Sequence, residues 1–125
     1  MAKIALVAHD AKKDLIVEWA TRNKTALSQH YIYATGTTGG RLHVDAGLEV
    51  DRLLSGPLGG DAQLGAMIAE ERLDALIFFI DPLSALPHDV DVKSLLRLAI
   101  LYNTPLAINR STADAVLFNM TEGEK

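Results

Sequence analysis

Ile4-Ala5-Leu6-Val7-Ala8-His9-Asp10-Ala11-Lys12-Lys13-Asp14-Leu15-Ile16-Val17-Glu18-Trp19 opens the chain with a strand, a polar break and a helix. Five apolar residues in succession read as a strand buried on both faces, and Leu15, Ile16 and Trp19 then recur at helical spacing. The same alternation runs through the rest of the sequence. Tyr31 to Ala34, Val50 to Leu54, Ala75 to Ile80 and Pro105 to Ile108 read as further buried strands. Leu64, Met67 and Ile68, and then Val92, Leu95, Leu96 and Ala99, mark crossover helices. Arg41 to Ala46, closed by Gly47, reads as a shorter helical crossover, and Ser111 to Phe118 as a last helix begun by a Ser or Thr cap. The tail Glu122 to Lys125 is expected to fray. Strand and helix in strict alternation, joined by right-handed crossovers, imply an α/β fold with a doubly wound, five-stranded parallel sheet covered by helices on both faces.

The 125 residues, 49% of them hydrophobic, suffice for one domain with a real core, and no linker or repeat divides them, so residues 1–125 are expected to form a single domain. The formal charge of −4 is mild and the basic residues are dispersed, which excludes a general nucleic-acid or anionic-membrane surface. Without cysteine there is no disulfide framework, thiolate metal site or cysteine nucleophile. No run has the length of a signal h-region or a membrane span, so the expectation is a soluble cytoplasmic protein.

In a parallel sheet of this kind ligands bind at the carboxyl ends of the strands. The unusual clusters all fall there. His9-Asp10 with Lys13 follow the first strand, Thr35-Gly36-Thr37-Thr38-Gly39-Gly40 the second, Ser55-Gly56-Pro57-Leu58-Gly59-Gly60-Asp61 the third, and Asp81-Pro82 with Pro87-His88-Asp89 and Asp91 the fourth. The Thr35 to Gly40 turn offers three hydroxyls and unhindered N–H groups, a set that suits phosphate or carboxylate; its plainer reading is a polar turn with a threonine cap. It is neither a Walker A motif nor a dinucleotide fingerprint, which weakens a nucleotide-dependent reading. Lys13 could add a point charge to the same anion.

Asp61 stands just past a glycine turn, either as a helix cap or as a general base that loss of water tunes towards neutrality. His88 could polarise a carbonyl or shuttle protons, or be a structural loop histidine. Asp10 is equally a cap or a site residue. His30 and His43 lack such company and read as surface residues, and Trp19 as core. No histidine pair has zincin spacing, no calcium-loop pattern occurs, and no hydroxyl stands in a nucleophile elbow, so metal binding and acyl transfer are disfavoured.

Ala8-His9-Asp10 with Lys13, Ala34 to Gly39, Ser55 to Asp61, Phe78-Phe79-Ile80-Asp81-Pro82 and Pro87 to Asp91 together resemble the methylglyoxal synthase family, in order and from Ile4 to about Leu117. The resemblance implies an α/β/α sandwich, a homohexamer, and no metal or organic cofactor. It also implies conversion of dihydroxyacetone phosphate to methylglyoxal and inorganic phosphate. By that resemblance Lys13, Thr35, Thr37, Thr38, Ser55 and Gly56, with Gly36 between the threonines, grip phosphate. Asp61 is the base that forms an enediolate, His88 polarises the carbonyl side, Asp10 and Asp91 are supporting acids, and His9 belongs to the substrate site. It further implies allosteric inhibition by phosphate, with Pro82 and Arg97 as coupling positions. The same fold also serves as a non-catalytic effector-binding module in carbamoyl phosphate synthetase, the competing reading.

Overall fold

The computed structural model describes residues 1–83 and 89–123, the side chains of Asp89, Val90 and Asp91 aside. Five parallel strands, β1 (Lys3–Ala8), β2 (Tyr31–Thr35), β3 (Asp51–Leu53), β4 (Ala75–Phe79) and β5 (Leu106–Ala107), lie in the order β3-β2-β1-β4-β5. The helices are α1 (Lys13–Arg22), the single turn α2 (Lys24–Leu27), α3 (Gly36–Ala46), α4 (Gly60–Ala69), α5 (Asp89–Leu101) and α6 (Arg110–Glu122). Short 3-10 turns, Asp10–Lys12 and Gly56–Leu58, precede α1 and α4.

Period-two alternation along the strands divides the interior into two cores. Ile4, Leu6, Ile32, Ala34, Ile77 and Phe79 face Ile16, Trp19 and Ala20 of α1, Leu42 of α3 and Ala113 and Leu117 of α6. Ala5, Val7, Leu76 and Phe78 face Leu64, Met67 and Ile68 of α4 and Leu95 of α5. The result is the expected three-layer sandwich. Trp19 is core as expected, 2% exposed, with its Nε1–H donating to Asp114 Oδ1 at 2.7 Å and its ring edge-on to Phe79.

The structure departs from the sequence reading where side chains or close contacts redirect the backbone. β3 stops at Leu53 because the Leu54 N–H is taken by Gln63 Oε1 at 2.9 Å and its carbonyl by the Gly36 N–H at 3.3 Å, which removes that residue from the ladder. The crossover helix placed at Arg41 to Ala46 begins instead at Gly36, so the Thr35 to Gly40 segment is a helix N-terminus rather than a turn. Glycine is required there, since a Cβ on Gly36 would lie 2.6 Å from both Ser55 Cα and Ser55 Cβ. The last helix is capped by Asn109, not by Ser or Thr, its side chain accepting from the Thr112 N–H at 2.9 Å, and it runs on through Glu122; Glu124 and Lys125 lie outside the described residues. His30 is buried at 6% exposure, its Nδ1 accepting from the Ala2 N–H at 3.0 Å and its Nε2 paired with Thr121 Oγ1 at 3.1 Å. The surface reading of His30 failed because this ring ties the start of the chain to α6, a contact between residues far apart in sequence.

Candidate active site

The strand order reverses direction at β1, which has β2 on one side and β4 on the other. Crossovers leave the sheet on opposite sides at such a point and open a crevice at the carboxyl ends. Two hydrogen bonds close its floor. The His9 N–H donates to the Phe79 carbonyl at 3.1 Å, and the Asp81 N–H donates to His9 Nδ1 at 2.9 Å. Above them opens a cleft of about 310 Å³ lined by His9, Asp10, Lys13, Thr35, Thr37, Ser55, Gly56 and Asp61. Val7, Ala8, Pro57, Phe78 and Val92 complete the wall with apolar surface.

Three backbone junctions carry these residues. After β2 the chain enters α3 directly, and Thr35 at its N-cap makes no side-chain capping bond. An α-helix leaves its first N–H groups without intrahelical partners, and together with the helix dipole they favour an anion. The Gly36 N–H is spent on Leu54, so Thr37, Thr38 and Gly39 follow with the remaining donors. After β3, Ser55 begins the second junction in extended conformation, and Gly59 at φ +119° turns the chain into α4. Gly60 then passes so near the strand end that a Cβ would meet the Leu54 carbonyl oxygen at 2.0 Å. The two glycine segments are therefore pressed together, Gly36 against Ser55 and Gly60 against Thr35, whose Cγ2 would lie 3.0 Å from a Gly60 Cβ.

Asp61 is the second residue of α4, half-buried, so it is not the cap: that position belongs to Gly59. Its carboxylate lies beside Gly56, both oxygens 3.4 Å from where a Gly56 Cβ would stand. Asp10 caps no helix either; it begins the 3-10 turn, and its Oδ1 accepts from Lys13 Nζ at 2.6 Å. Of that pair the Lys13 side chain is 18% exposed and the Asp10 side chain 93%, so the carboxylate holds the ammonium from the solvent side.

His9 carries the sharpest chemical information. Because its Nδ1 accepts a backbone N–H, the neutral ring holds its proton on Nε2. That Nε2 is buried and, among the described residues, has no hydrogen-bond partner. The ring packs edge-on against Phe78, with centroids 5.2 Å apart, and lines the cleft. A buried donor left unpaired is costly, and a ligand oxygen is the group that would satisfy it.

The cleft thus gathers eight of the residues singled out from the sequence. Gly36 and Thr38 are buried behind the lining, Thr38 at 2% exposure. Asp91 falls in the first turn of α5, and Val92, one residue on, reaches the cleft wall. His88 lies outside the described residues. Phe78 and Val92 were missed because nothing in an apolar residue at a strand end or helix start distinguishes a cleft wall from core. Among the described residues no three His, Asp or Glu side chains are grouped to hold a metal ion, and no helix is long and apolar enough to cross a membrane.

Comparisons with known proteins agree with this geometry. A family model described as an MGS-like domain matches residues 15–108. The chain is 59% identical over 122 residues to the methylglyoxal synthase of Allorhizobium ampelinum, covering 96% of each chain. It is 60% identical over 116 residues to that of Rhizobium rhizogenes, covering 91% of each. The crystal structure of methylglyoxal synthase from Elizabethkingia anophelis superposes with a TM-score of 0.88 at 52% identity, over 93% of this chain and 76% of that one.

Proposed function

Since the chain belongs to the methylglyoxal synthase family, we propose that the cleft converts dihydroxyacetone phosphate to methylglyoxal and inorganic phosphate, with Asp61 as the base. The activity is that of a carbon–oxygen lyase acting on a small phosphorylated ketone. One observation supports the residue roles above all others: Asp61 and the uncapped start of α3 open onto the same cleft, so a base and an anion cradle share one small volume.

Asp61 takes a proton from the hydroxymethyl carbon, and the C–H electron pair forms a C=C bond to the carbonyl carbon as the carbonyl oxygen becomes an oxyanion. The buried Nε2–H of His9 is a donor for that oxygen, and His88 is assigned to the same side from sequence. The enediol hydroxyl then loses its proton, a C=O bond forms there, the double bond shifts towards the phosphate-bearing carbon, and the C–O bond breaks with its electron pair leaving on phosphate. Tautomerisation of the resulting enol, with a proton delivered to its CH₂ carbon, gives methylglyoxal. Elimination requires the C–O bond to stand out of the enediolate plane. Lys13, Thr35, Thr37, Thr38, Ser55 and Gly56 grip the phosphate in that orientation and stabilise the leaving anion. Asp10 orients Lys13, and Asp91 is a supporting acid.

Residues 1–125 act as one domain, assemble as a homohexamer, reside in the cytoplasm and are inhibited allosterically by phosphate through Pro82 and Arg97. Self-assembly is supported by Ile100, Leu101 and Ile108, which are 75%, 68% and 46% exposed on the side of α5 and β5. The test is incubation of the purified protein with dihydroxyacetone phosphate and no added metal, with methylglyoxal and phosphate both measured. Equimolar release of the two is expected. Isomerisation without phosphate release refutes the reading, and binding without turnover favours an effector module.

A further inference from the structure

Resting on the phosphate-cradle reading, we infer that Arg52 is a positioning residue that orients and polarises one of the cradle's backbone donors, the Thr37 N–H. Arg52 sits in β3 opposite Ala34, on the α3 side of the sheet, and is not part of the cleft lining. Its Nε donates to the Gly36 carbonyl at 2.7 Å. Arg22, Arg41 and Arg72 each pair with a carboxylate, whereas among the described residues Arg52 spends its charge on a peptide oxygen. Two glycines make room for it. A Cβ on Gly39 would lie 3.0 Å from Arg52 Cγ, and one on Gly40 would lie 3.0 Å from Nη2 and 3.1 Å from Cζ, so the guanidinium lies against the bare first turns of α3.

The Gly36 carbonyl and the Thr37 N–H are the two ends of one planar peptide unit. Fixing the oxygen fixes the direction of the N–H, which leaves the N-terminal end of α3 where Thr37 lines the cleft. A charged donor on the oxygen also withdraws electron density through the amide and strengthens the N–H as a donor. A structural role alone explains the arrangement poorly. The N-terminus of a helix carries partial positive charge, so a cation there opposes the dipole, and an acidic side chain would stabilise the empty helix better. The placement becomes favourable when an anion occupies the helix end.

Arg52→Met keeps a long side chain over Gly39 and Gly40 but cannot donate. With 2-phosphoglycolate as the probe, the expected result is a rise in Kd, and a matching rise in KM for dihydroxyacetone phosphate, of about three- to tenfold, the value of one oriented hydrogen bond. The kcat should fall as well, by up to about tenfold, because a donor to the departing phosphate holds it more tightly as its charge develops in the transition state. Arg52→Lys, which retains charge without the planar fork, should recover part of the affinity. A fallen melting temperature with unchanged Kd and KM would show a fold strut and overturn the inference. Should Arg52→Met fail to fold, the Kd of Arg52→Lys decides, and a value equal to the parent's overturns it. Lys13→Met serves as the reference: if it too leaves Kd unchanged, the phosphate-cradle reading fails and the Arg52 inference falls with it.

Discussion

Replacing Gly36 by alanine tests whether the spacing between the two glycine segments sets the geometry of the cleft. The added Cβ would stand 2.6 Å from Ser55 Cα and Cβ and 2.9 Å from Ser55 N, all rigid parts of the chain. Ordinary contact begins at 3.4 Å, so the start of α3 and Ser55 must separate by about 0.8 Å. Overpacking of this kind costs about 1–3 kcal/mol. For a chain of this size that corresponds to a fall in Tm of about 4–12 °C. The effect on catalysis should be larger in proportion, because Thr35 and Thr37 move relative to Ser55, Gly56 and Asp61, and a misplacement approaching 1 Å can cost about a hundredfold in rate. The assay is kcat/KM from coupled phosphate release, with thermal melting at fixed protein concentration. Gly65→Ala is the control. Among the described residues its Cβ would meet Leu98 Cδ1 alone, at 3.2 Å, the far end of a flexible side chain, so an alanine in mid-helix should be neutral or stabilise by up to about 1 kcal/mol. A Gly36→Ala protein that melts like the parent and keeps its full kcat/KM would refute the claim that contact between these segments shapes the site.

Asp61→Asn should lower kcat by about 10²–10⁴-fold while leaving the Kd for 2-phosphoglycolate nearly unchanged, and undiminished phosphate release would remove Asp61 from the base role. Lys13→Met should raise the Kd for the same ligand by about tenfold or more through loss of a charge-assisted bond at a mostly buried position, measured by titration calorimetry. Asn109→Ala removes the cap of α6 and should lower stability by about 1 kcal/mol in denaturant titrations, with kcat/KM intact because the cap lies outside the cleft lining.

The sheet was legible because β1 and β4 bury both faces, and such strands must be written as unbroken apolar runs. The edges were less so. The end of β3 is set by the Gln63 side chain capturing the Leu54 N–H, a tertiary event without local signature. The start of α3 was hidden by composition: Gly36, Gly39 and Gly40 argue for a turn, yet they are there because Ser55 and Arg52 press against a helix. Of the site, the charged and glycine clusters were visible as residue types after strands. The buried Nε2 of His9, unpaired among the described residues, was not, because the ring's orientation depends on the Asp81 N–H reaching Nδ1 across the sheet. His30 was misread for the same reason, its partners Ala2 and Thr121 lying 28 and 91 residues away.

The two cores lie on opposite faces of the sheet, and the cleft draws its polar groups from both layers: Lys13, Thr35 and Thr37 at the starts of α1 and α3, and Ser55, Gly56 and the base Asp61 at the start of α4. A phosphorylated ligand that engages both sets is a non-covalent cross-brace between the layers. By mass action such a ligand at a hundredfold excess over its Kd adds about 2.7 kcal/mol to the folding free energy. Persistence of the folded chain thereby becomes a function of metabolite supply, with the protein most resistant to unfolding and proteolysis when its substrate is abundant.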